Sequence, residues 1–160
     1  NAKKAGAVDT SKLKEIKLGV SRIALVVHPG NPVKKLTNAQ AVDLLSGKVR
    51  NWKEVGGPDL AVVVVVAPSG NGTRTAVEKQ LLKTTAFASD ARTVPSPLQV
   101  PIVVSQLPGA IGPLGVSVLT GKVAAVKLDS DIETGMSFAV KGEPTADVQK
   151  LVEAVKPLIK

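Results

Sequence analysis

The stretch that decides the fold is AVVVVVAPSGNGTRTAVEKQLL, residues 61–82. It opens as an unbroken β-branched run, turns through a small polar segment with two glycines, and closes as an amphipathic stretch. Val62 to Val66 fits a central strand, and the segment from Gly72 to about Phe87 fits a helix, with Val77 and Leu81 inward and Glu78 and Lys79 turned to water. The bend between them therefore lies at the carboxyl end of a strand. In open α/β sheets ligands bind there, because the amides of the loop and first helical turn point outward without partners.

Gly70 and Gly72 let the backbone approach a ligand closely, Ser69, Asn71 and Thr73 add polar side chains, and Arg74 adds a fixed charge, a donor set suited to an oxyanion. The same residues also suit a simpler role, a tight turn with Asn71 or Thr73 capping the helix. Neither the P-loop spacing nor the dinucleotide fingerprint is satisfied, because the Lys-Ser/Thr pair and the third glycine are missing. Asn71-Gly72-Thr73 also matches the short glycosylation acceptor pattern.

Working outward, residues 13–28 read as one or two strands ending at PGNP, the second of them buried on both faces. Thr37 and Gln40 form a capping box for a helix that places Ala41, Leu44 and Leu45 on one face before Gly47 stops it. A short helix is expected over 98–106, a brief strand in PGAIGPLG, and further strands over 123–128 and 137–141. The final helix carries Val148, Leu151, Val152 and Val155 at i, i+3, i+4 and i+7, a core-facing stripe. Residues 1–12 are small and polar and are expected to be loosely docked. The alternation of strands and helices predicts an α/β fold with a mostly parallel sheet flanked by helices.

Composition narrows the chemistry. The chain has 160 residues, 44% hydrophobic but only 2% aromatic, so its core rests on Val, Leu, Ile and Ala. A net charge of +8 favours an anionic partner, yet Trp52, Phe87 and Phe138 are too few to build a base-stacking platform, and nucleic acid is not expected. Without cysteine there is no thiolate or disulfide chemistry, and with His28 alone no histidine-based metal site or catalytic triad. The acidic residues show no paired spacing, so neither enzyme activity nor a cofactor is expected. His28 reads as a turn residue and Trp52 as packing. Lys34, Lys35, Lys48, Arg50 and Lys53 read as a solvated basic surface in preference to an anion-steering face. The longest apolar run, Leu60 to Pro68, is too short to span a membrane.

From Ser21 to Leu82 the order of features resembles the second lobe of the phosphate-binding proteins that serve ABC importers. Those features are a strand ending in VVHP, then LTNAQAVDLLSGKVRNWKEVGG, a valine strand, and Asn-Gly-Thr-Arg opening a helix. PGAIG and SFAVKGEPTADVQKLVEAV continue it, so the likeness covers roughly residues 20–155. The resemblance implies a type II periplasmic-binding-protein lobe. It implies a main lobe over about 20–128 and a returning strand and helix over about 129–160, in a single compact domain of 1–160. It further implies a role outside the cytoplasm, with an export signal removed, and capture of phosphate or a similar oxyanion by Ser69, Gly70, Asn71, Gly72, Thr73 and Arg74.

Two departures accompany it. The family's Ser-Gly-Thr falls on Asn71, Gly72 and Thr73, and the position of its anion-pairing arginine is Ala67. Residues 1–20 do not match the family's N-terminal half-lobe, so no closed cleft is expected in cis and binding is expected to be weak. The apolar face over 137–155 is then expected to pack on the main lobe, on another copy or on a partner. An ABC transporter permease and self-association are the partners this implies. The alternative is a binding-protein fold that serves as an interaction or assembly subunit without ligand.

Overall fold

The computed structural model describes residues 13–158; the 1–12 segment lies outside them. A long strand β1 (Leu13–Val27) leads through PGNP into α1 (Asn38–Leu45), a 3-10 turn at Trp52–Val55 and the short strand β2 (Val63–Val66). Helix α2 (Gly72–Val77) continues as one π-helical turn over Glu78–Leu82, followed by β3 (Arg92–Thr93), α3 (Val100–Gln106), β4 (Ala110–Gly115), β5 (Ala124–Val126), β6 (Ile132–Lys141) and α4 (Ala146–Val155).

The local rules hold well at α1. The Thr37 hydroxyl accepts from the Gln40 amide at 3.2 Å while Gln40 Oε1 accepts from the Thr37 amide at 2.9 Å, closing the capping box. Ala41, Leu44 and Leu45 are buried, and Gly47 stops the helix with φ at +76°. In β1 the half with alternating pattern leaves Lys14, Glu15 and Lys17 exposed, and the continuous apolar end buries Leu25, Val26 and Val27.

The sheet order is β3-β2-β4-β1-β5, with β6 also paired to β1. It is mixed, which corrects the mostly parallel expectation: β2 runs parallel to β3 and β4, whereas β1 runs antiparallel to β4 and β5. The helical crossovers through α2 and α3 make their flanking strands parallel. β1 pairs with strands remote in sequence, and strand-helix alternation carries no direction for such pairs. Pro113 sits within β4, beyond the two residues, Ala110 and Ile111, that pair with β2. There it leaves no gap in that ladder.

Alternating residues feed two cores. Ile23, Leu25, Val27, Val64, Val66 and Ile111 join α1, α2 and Trp52 in one. Val26, Val65, Ala110 and Leu114 join Val100 and Val104 of α3 in the other. The contacts divide the chain into two units, one running from Arg22 to Ile132 and one formed by the chain up to Ser21 and from Glu133.

Two helices differ from expectation. Helical structure after the bend ends at Leu82, not near Phe87, because Lys83 takes a positive φ of 56° and turns the chain out of the helix. In α4 only Val152 of the apolar stripe is buried, and Leu151 is 52% exposed. Periodicity identifies the apolar side of a helix but not how much of it is covered.

Candidate functional site

β2 delivers the chain through Ala67 and Pro68 into the glycine-bearing bend. The Asn71 amide donates to the Pro68 carbonyl at 3.1 Å, and Gly70 sits at φ +86°, a conformation an L side chain resists. Asn71, extended at φ −66° and ψ 137°, caps α2: its Oδ1 accepts from the Thr73 amide at 3.0 Å and from the Arg74 amide at 3.3 Å. Of the two roles the sequence left open for Asn71, capping is the one seen. Ser69 is exposed and Thr73 half-buried, and their hydroxyls make no hydrogen bond among the described residues.

The structure thus brings Ser69, Gly70, Asn71, Gly72 and Thr73 together at the end of β2, but sends the Arg74 side chain elsewhere. Its Nε donates to Glu78 Oε1 at 2.8 Å, its Nη1 donates to the Ala67 carbonyl at 3.1 Å, and its guanidinium lies 5.4 Å from the centre of the Phe87 ring. The side chain is only 19% exposed. Glu78, expected to face water, is held instead in this pair. The i, i+4 Arg–Glu spacing was a readable signal for it. Phe87 had no such signal, since it falls beyond the true helix end.

The basic surface near α1 is charge-paired. Lys35 reaches Asp129 at 3.7 Å, Lys48 reaches Asp43 at 3.2 Å, Arg50 reaches Asp90 at 2.9 Å and Lys53 reaches Asp59 at 3.2 Å. Lys34 Nζ donates to the Asn31 carbonyl at 3.0 Å. These exposed pairs agree with a solvated surface. The Asp59 carboxyl is held below the usual range by the Asn51 amide hydrogen bond and then by Lys53. His28 is a turn residue whose Nδ1 accepts from the Gly30 amide at 3.0 Å. Trp52 is fully buried and its indole donates to the Gly109 carbonyl at 2.9 Å. Among the described residues no cluster of three potential metal ligands occurs, and no helix is long and apolar enough to cross a membrane.

A mixed sheet covered by helices on both faces, with an amide-rich bend at the end of a central strand, defines a periplasmic-binding-protein-like α/β protein. A family model described as the PBP superfamily domain matches residues 1–158, and the chain belongs to that family. It is 33% identical over 129 residues to the phosphate-binding protein PstS of Bacillus subtilis (strain 168), a match covering 80% of this chain and 43% of that protein. The chain therefore spans less than half the length of this curated relative. It also superimposes on a Clostridium perfringens crystal structure described as a phosphate ABC transporter substrate-binding protein with bound phosphate. That match has a TM-score of 0.80 and 29% identity, covering 96% of this chain and 67% of the other. An ABC-type phosphate transport receptor from Vibrio cholerae shares the fold, with a TM-score of 0.71 and 23% identity over 93% of this chain and 68% of that one.

Proposed function

We propose that this chain is a non-enzymatic solute-binding protein, acting in the periplasm or outside the cell, that captures phosphate or a similar oxyanion weakly at Ser69–Arg74. The observation that carries this reading is the bend itself. On a sheet of the same fold as phosphate-binding proteins, it presents the hydroxyls of Ser69 and Thr73, without hydrogen-bond partners among the described residues, beside the Gly72 amide at the start of α2. Affinity is low for two reasons. Ala67 supplies no guanidinium, and Asn71 Oδ1 already occupies two of the amides. An ABC transporter permease is the partner this reading implies.

Thermal unfolding with phosphate, sulfate and chloride titrated at constant ionic strength tests it. A ligand at 100 times its Kd adds about 2.7 kcal/mol to the folded state. Phosphate alone should raise the midpoint, with amide chemical shifts moving at Gly70 and Thr73; identical behaviour of all three salts rejects the reading. One observation favours a second reading, an interaction subunit without ligand. Leu98, in the turn that precedes α3, and Ile102 of α3 are 61% and 51% exposed beside Val118 and Leu119, an uncovered apolar patch on the larger unit. Sedimentation velocity checks it: a strictly monomeric chain over a wide concentration range counts against self-association.

A further inference from the structure

We propose that Arg74 is a positioning residue that staples the base of the anion loop, and that Glu78 holds the staple in place. The inference rests on the oxyanion reading of Ser69–Arg74 and concerns how that loop is held ready. The loop begins at Ala67, where β2 has just ended, and finishes at Arg74 in the first turn of α2. Its span includes Gly70 and Gly72, so an untethered loop would have much backbone freedom to lose on binding. Arg74 Nη1 donates to the Ala67 carbonyl at 3.1 Å, joining the last residue of the loop to the first.

Three contacts fix the guanidinium in that orientation. Nε is bound by Glu78 one helical turn on at 2.8 Å, Nη1 is bound by Ala67, and the Phe87 ring lies 5.4 Å beneath. A planar guanidinium holds two acceptors in one rigid geometry, which a lysine ammonium on a flexible stem does not. At 19% exposure the group is largely removed from water, so these bonds compete little with solvent. The residue that follows the threonine thus turns its charge away from the bend and onto position 67. The oxyanion is left to neutral donors.

The test compares wild type, E78Q and R74K by phosphate titration and by hydrogen exchange at the Gly70–Thr73 amides. Both variants should weaken phosphate binding about three- to tenfold. Both should also speed exchange at Gly70–Thr73 while exchange at Val64–Val66 keeps its wild-type rate. A merely structural role would instead speed exchange across β2 and the loop together. Tighter phosphate binding by E78Q would overturn the proposal, because Arg74 released from Glu78 would then be a ligand. Unchanged loop exchange in both variants overturns it whatever the ligand does. Absence of phosphate binding in the folded wild type sinks the oxyanion reading alone, and loop exchange still decides the staple.

Discussion

Asn71 shows how one side chain can fix the start of a helix. Its Oδ1 caps two amides of α2, so N71A should lower the unfolding midpoint by the equivalent of about 1 kcal/mol, whereas N71S, which keeps a capping oxygen, should stay near wild type. Thermal melts of the two variants separate these outcomes. At Asp59 the physics is electrostatic. Asn51 Nδ2 donates to the carboxylate at 2.8 Å and Lys53 approaches at 3.2 Å, lowering its pKa in the folded chain. A lowered folded-state pKa gives stability that is present above the unfolded value and is lost as pH falls through the folded one. An NMR titration should find the Asp59 midpoint below that of an unperturbed aspartate, and N51A should move it upward. An unmoved midpoint would remove Asn51 as the main cause.

At the scale of elements, β4 depends on close backbone approach. A Cβ on Gly109 would lie 2.0 Å from the Ala61 carbonyl oxygen, and one on Gly112 would lie 2.4 Å from that of Val65. Both obstacles are backbone, so G109A and G112A should each cost about 1–3 kcal/mol or more in chemical denaturation. Gly121, with open space around its Cβ position, is the control, and G121A should stay within about 0.5 kcal/mol of wild type. The legible parts of the fold were those governed by neighbours in sequence. The Thr37–Gln40 box, the buried valines of β2, the proline-led start of α3 and the contiguous bend could all be read from short windows. What stayed hidden depended on distant partners. The reversed direction of β1, the full length of β6, the helix end at Lys83 and the Phe87 ring beneath Arg74 are set by tertiary contacts that no local period encodes. The Asn51 cap, paired with Glu54 three residues on, is a local signal that was available and is easily passed over beside Trp52.

Across the whole molecule, burial is unevenly divided, and that division predicts how the chain opens. The unit from Arg22 to Ile132 holds both apolar clusters, including Leu25, Val65, Ile111 and the fully buried Trp52. In the other unit, the buried apolar core among the described residues is Val152 alone, while Met136 and Leu151 are 38% and 52% exposed. Segments with few buried contacts open at lower free energy than the global transition. Hydrogen exchange should therefore place β6 and α4 well below the protection of Leu25–Val27 and Val64–Val66. Trp52 fluorescence, which follows only the larger unit, should melt at a higher denaturant concentration than far-UV circular dichroism, which averages both units. Coincident transitions with uniform protection would instead mean that the long strand β1, which runs through both units, couples them into one cooperative structure. In that case ligand-induced stabilisation measured at Trp52 would report on the whole chain rather than on the unit that carries the bend.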